Sequence, residues 1–101
     1  MHLIQILLPI TYNDGTPVGE DILRSVCTEL KTRFGGLTAY SRNPAEGVWK
    51  NGNGEKTDNI VIIEVMTDDL DRDWWRDFRK RLKRELGQEE LVVRAEVTER
   101  L

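Results

Sequence analysis

The stretch Ile60–Met66 (I-V-I-I-E-V-M) is apolar at both odd and even positions, broken only by Glu64. Successive side chains of a strand point to opposite faces. Val61, Ile63 and Val65 therefore line one side, and Ile60, Ile62, Glu64 and Met66 the other. A strand apolar on both faces belongs to a sheet covered on both. The chain carries two helical periodicities to cover it with. If both helices lie on one side, the second face is left to a partner chain or a ligand, and Glu64 sits in it.

The neighbouring segments decide where those helices lie. His2–Leu8 reads as a strand ended near Pro9, followed by a turn at Asn13-Asp14-Gly15. From Pro17 to Phe34, apolar residues recur at Val18, Ile22, Leu23, Val26, Cys27, Leu30 and Phe34, the spacing of one helix face. Gly35-Gly36 ends that helix, and Leu37–Arg42 alternates loosely as a second strand. Asn43–Asn59 is polar and turn-rich, and Gly47–Lys50 within it predicts an extra edge hairpin near 47–59. After the central strand, Leu70–Leu86 places Leu70, Trp74, Trp75, Phe78, Leu82 and Leu86 on one helical face. Trp74 and Trp75 lie about 100° apart on that helix, so one is expected to be partly exposed. Gly87 caps the helix, and Leu91–Thr98 is the last strand.

The order strand–helix–strand–strand–helix–strand predicts a single α+β domain over 1–101, a ferredoxin-like βαββαβ sandwich. Right-handed crossovers put both helices on one face of a four-stranded antiparallel sheet of order 4-1-3-2. The helix side then takes Ile4, Ile6, Leu8, Val61, Ile63, Val65, Leu91, Val93, Ala95 and Val97. The open side takes Leu3, Gln5, Leu7, Ile60, Ile62, Glu64, Met66, Val92, Arg94 and Glu96, with Thr38, Tyr40 and Arg42 from the edge strand. So large an apolar patch exceeds what monomers usually expose. Two copies packed face to face would bury it in an isologous homodimer. Its interface would comprise Leu3, Gln5, Leu7, Ile60, Ile62, Glu64, Met66, Val92 and Arg94. Buried polar groups need partners, so Glu64 is expected to pair with Arg94, with Gln5 bridging. The sharper alternative makes the trio a ligand-binding cluster with Glu64 as a base of raised pKa.

Composition removes several functions. A net charge of −3 and a pI near 5.2 argue against a nucleic-acid binder. The two central strands also lack the aromatics on which sheet-type RNA modules stack bases. No apolar run approaches the ~20 residues of a bilayer span. Met1–Ile10 has no basic leader and reads as a strand, so a cytoplasmic protein with no membrane partner is expected. Cys27 is the one cysteine and lies in a helical apolar stripe, which makes it a core thiol. With His2 the one histidine, neither a metal cluster nor a histidine relay is available, and no cofactor is implied. The tautomerases of related folds need a proline after Met1, where this chain has His2. Acylphosphatases need an arginine in the first loop, and Pro9–Gly19 has none.

Asp68, Asp69, Asp71 and Asp73 sit at a helix start, where carboxylates cap orphan amides and meet the positive end of the macrodipole. Arg79-Lys80-Arg81 and Lys83-Arg84 are cations toward the other end. Leu70–Leu86 carries seven basic and four acidic residues, +3 against −6 elsewhere. This reads as a solvated helix face, with an anion patch as the alternative.

Tyr40, Arg42 and Trp49 gather around the polar insertion, where Trp49 is either a lid over a cleft or an anchor for the loop. Phe34-Gly35-Gly36-Leu37-Thr38, followed by Gly47-Val48-Trp49 and a Gly-rich turn, resembles a family of small bacterial proteins of unknown function. That resemblance implies a compact α+β domain and supplies no catalytic residues. Two functions follow from the residues. One is a homodimeric interaction or regulatory module using the open sheet face. The alternative is a small cofactor-free enzyme or ligand-binding protein of the dimeric α+β barrel type, with a small-molecule pocket near Tyr40, Arg42 and Trp49, supported by Glu64.

Overall fold

The computed structural model describes residues 1–12, 14–52 and 54–101; the side chains of residues 42, 43, 51 and 56 lie outside the description. The elements run β1 (His2–Pro9), α1 (Glu20–Phe34), β2 (Thr38–Asn51), β3 (Gly54–Thr67), α2 (Arg72–Glu85) and β4 (Val92–Val97). The strands form one antiparallel sheet in the order β2-β3-β1-β4. Together with the two helices it makes a small mixed α+β fold.

Both helices pack on the same face, the side of Ile4, Ile6 and Leu8 of β1 and Val61, Ile63 and Val65 of β3. From α1, Val26 and Leu30 meet this surface; from α2, Trp75, Phe78 and Leu82 do. Phe34, Trp74, Trp75 and Phe78 interlock at the helix–helix seam, Phe34 stacked on Trp75 at 5.2 Å and Trp74 edge-on to Trp75 at 4.8 Å. Such pairs add to plain area burial. Trp75 is the buried member of the tryptophan pair. Trp74 is half-buried beneath the Arg33 guanidinium, 4.4 Å from its ring centroid. Arg81 Nη2 donates to both carboxylate oxygens of Glu29, at 2.7 and 2.9 Å, tying α2 to α1.

Local chemistry sets the helix limits. Gly35 ends α1 in the left-handed region (φ 85°), its N–H donating to Lys31 O. That conformation is expensive for a residue with a Cβ. Asp71 caps α2 by accepting from Trp74 N at 3.1 Å, so this carboxylate serves the helix end. Cys27 lies against the core, and burial pushes its thiol pKa up, away from nucleophilic use.

Three sequence expectations change. The extra hairpin near 47–59 is the outer half of one long hairpin: β2 and β3 each run 14 residues and pair from Asn51↔Gly54 back to Thr38↔Glu64. The ladder shifts register between Tyr40 and Ala45, an irregularity that the polar composition disguised as loop. The first helix begins at Glu20 rather than Pro17, because Val18 N bonds Ile10 O and Pro17 bridges Thr11 in an ordered loop. Ala95 and Val97 are exposed, Val97 at 81%, although their alternation matches the core; an opening separates Ala95 from α2.

Two residues of the same predicted face should therefore respond differently to truncation. Ile63→Ala, at a position 0% exposed, is expected to lose about 2–5 kcal/mol in urea unfolding. Val97→Ala should stay within about 0.5 kcal/mol of the parent.

Candidate functional site

The sheet face away from the helices carries a row with one residue from each strand. Register aligns Thr38 with Glu64, Glu64 with Gln5, and Gln5 with Arg94. The side chains connect as the strands do. Arg94 Nε donates to Gln5 Oε1 at 2.8 Å, Gln5 Nε2 donates to Glu64 Oε2 at 2.7 Å, and Tyr40 OH donates to Glu64 Oε1 at 3.0 Å. Glu64 and Arg94 thus communicate through Gln5 rather than as a direct ion pair. Tyr40 enters as a fourth member because its strand lies beside β3 in the order. Both oxygens of Glu64 are occupied as acceptors, an arrangement of a fixed anchor more than of a base presented to substrate. The hydrogen bond to the Glu64 carboxylate, and then its charge, raise the Tyr40 phenol above the ordinary pKa of 10.

Leu3, Leu7 and Ile62 are half-buried on this face, and Tyr40, Met66 and Val92 are exposed. Ile60, expected in the same patch, is buried at 7%. Its cover is the outer hairpin. Ile60 pairs with Ala45, and Asp58 pairs with Gly47. A Cβ built on Gly47 would lie 2.6 Å from Ile60 Cδ1 and 3.1 Å from the Trp49 ring, so any larger residue here would require the Ile60 side chain to move.

The same geometry opens a cleft of about 460 Å³. Leu7, Ile60 and Val92 give it a floor from the sheet, Trp49 a wall from the hairpin, and Gln88 and Glu90 an opposite edge from the segment before β4. Asp58 belongs to its lining. This residue is 6% exposed, and its Oδ2 is fully buried without a hydrogen-bond partner. An unpaired buried acceptor costs its own desolvation, about 1–3 kcal/mol. Gln88, 8% exposed, holds the cleft edge to the first loop through its amide, 3.5 Å from Thr11 O.

Of the predicted ligand residues, Trp49 lines the cleft, while Tyr40 and Glu64 lie on the same face outside its lining. The side chain of Arg42 lies outside the described residues. Leu7, Ile60 and Val92, also expected at an interface, form the cleft floor. Asp58, Gln88 and Glu90 escaped the sequence reading. Asp58 shares the parity of Ile60, Ile62 and Glu64, and that signal was hidden while 43–59 read as loop.

No known protein family matches the chain, and no curated protein does. Among solved structures, a phage SAM lyase in complex with S-methyl-5'-thioadenosine is similar, with a TM-score of 0.63 and 16% identity over 94% of this chain and 79% of that one. A phage SAM lyase in the apo state matches with a TM-score of 0.57 and 19% identity, over 94% of this chain and 78% of that one. At such identities the likeness is one of fold.

The phenol–carboxylate contact has a pH signature. A raised folded-state pKa makes its stabilisation complete below the unfolded value near 10 and lost as pH rises through the folded value. Difference absorbance titration of the parent against Tyr40→Phe should show Tyr40 ionising above pH 10. Glu64→Gln should bring that midpoint down, and an ordinary midpoint in the parent would refute the contact.

Proposed function

We propose that the open sheet face is a small-molecule site and that its ligand is a thioether nucleoside or a related sulfonium nucleoside, handled by a small enzyme of the SAM lyase type. Asp58, a buried residue of the cleft lining with one carboxylate oxygen unpartnered, carries this reading. A protein gains nothing in stability from a buried carboxylate oxygen without a partner; a ligand N–H or O–H would complete it. The indole of Trp49 offers a flat surface for a purine, and Leu7, Ile60 and Val92 offer an apolar floor for a methylthio group. The volume suits a nucleoside-sized ligand. Support from outside is the phage SAM lyase in complex with S-methyl-5'-thioadenosine, alike in fold over most of this chain. We read the architecture as a ferredoxin-like sandwich, which the strand order and the one-sided helices support. Its open face is then the natural place for such a cleft.

A second reading rests on the same face. Tyr40 (51%), Met66 (49%) and Val92 (46%) are exposed there, and a second copy packed on them would form the homodimeric module that the alternation suggests. Light scattering after size exclusion separates a monomer of 11.7 kDa from a dimer of twice that mass. A monomer at every concentration would remove the dimer and leave the ligand site intact.

Ligand binding has its own test. Calorimetry with S-methyl-5'-thioadenosine should give saturable binding, and incubation with S-adenosylmethionine should yield a thioether nucleoside on chromatography. Asp58→Asn should weaken binding at least tenfold, about 1.4 kcal/mol, while retaining a cooperative thermal unfolding transition. Absence of binding by the parent protein, or Asp58→Asn binding as well as it does, would defeat the proposal.

A further inference from the structure

On the other side of the sheet a smaller opening, about 160 Å³, lies between α2 and edge strand β4. Trp75, Val93 and Ala95 are among its apolar lining, and Arg72, Arg76 and Arg79 stand along its rim. These arginines are spaced i, i+4 and i+7, so they fall on one stripe of α2 roughly 10 Å long. Arg94 also borders the opening, but its Nε is held by Gln5 on the opposite face. No carboxylate appears among the described lining residues. In a chain of net charge −3, this is a local reversal of sign.

Few of those charges are neutralised within the protein. Arg76 reaches Asp73 at 3.3 Å, an exposed pair one turn back along the helix. Asp71, the N-cap of α2, is turned toward Arg33 and the amide of Trp74. Arg72 and Arg79 make no ion pair among the described residues. Like charges at this spacing weaken a helix unless something bridges them. Arg72 stands in the first turn of α2, where the helix dipole adds positive potential of its own. The indole of Trp75, 6% exposed, forms a dry wall beneath them and sustains the field better than open water would.

We propose that this groove binds a multiply charged oxyanion: the phosphate or pyrophosphate group of a phosphorylated small molecule. Guanidinium is the fitting group for the task, because its planar fork meets two phosphate oxygens at once. Arg72 and Arg79 grip the anion from either end, and Arg76 exchanges Asp73 for it. The small volume admits the charged group alone, so the rest of the molecule lies outside along β4. This site shares no arginine with the cleft around Asp58 and stands or falls independently of the nucleoside reading.

Sodium pyrophosphate is the probe, with sodium chloride at matched ionic strength as the control. Calorimetry should show saturable 1:1 binding with a Kd below about 1 mM, and thermal stability should rise beyond the chloride effect. Arg72→Ala/Arg79→Ala should weaken binding at least tenfold, Arg72→Lys/Arg79→Lys should weaken it less, and Arg24→Ala on α1 should leave it unchanged. In the parent protein, pyrophosphate should shift the Nε–Hε NMR signals of Arg72 and Arg79, a readout that needs no variant to fold. Equal stabilisation by chloride, unaltered binding by the double alanine variant, or unmoved arginine signals would overturn the site.

Discussion

Everything in this molecule depends on β3 being apolar on both sides while its chain supplies helical cover for one. Val61, Ile63 and Val65 are enclosed by α1 and α2 together with β1, which fixes the register of the sheet. Moving β3 by one residue would turn Glu64 into the core and expose Ile63. The opposite face is then settled by two devices that act side by side. Across the middle of β1, a hydrogen-bonded chain of Arg94, Gln5, Glu64 and Tyr40 occupies the surface. Near the far end, the outer hairpin comes over Ile60 and Asp58, and a cleft results.

Much of this was legible in the residues, for identifiable reasons. Period-two alternation in His2–Leu8 and Ile60–Met66 assigned the faces of the two central strands, because each has strong apolar residues on a side that must be buried. Parity alone was enough to place Gln5, Glu64 and Arg94 together. Alternation failed in β4: Ala95 and Val97 have the right parity, but an edge strand is buried only where a helix packs directly on it. Pattern reports which way a side chain points, not whether anything lies over it.

The site was less legible than the fold. Asp58 stands in a stretch of Asn, Gly, Glu, Lys and Thr that carries every compositional mark of a loop, yet its backbone is regular strand. The β2–β3 ladder there is held by main-chain hydrogen bonds, which leave no trace in side-chain polarity. Tyr40 was recognised as a member of the face, but its bond to Glu64 depends on neighbouring strands at Cβ range, a fact of strand order rather than of sequence spacing. Gly47 is similar: its role follows from the proximity of Ile60, not from a turn.

The long hairpin also bears on how cooperative the fold is. From Gly47↔Asp58 outward, β2 and β3 pair with each other and, among the described residues, with no third strand. A two-stranded ribbon is marginal in water without further packing. The outer hairpin therefore belongs to a lower rung of the stability ladder than the sheet it grows from, and its amides should open to solvent exchange without global unfolding. The wall that carries Trp49 and Asp58 is thus thermodynamically separable from the core. Whatever settles against it would be felt first as slower hydrogen exchange in the outer hairpin, with Ile4, Ile6 and Ile63 scarcely aware of the event.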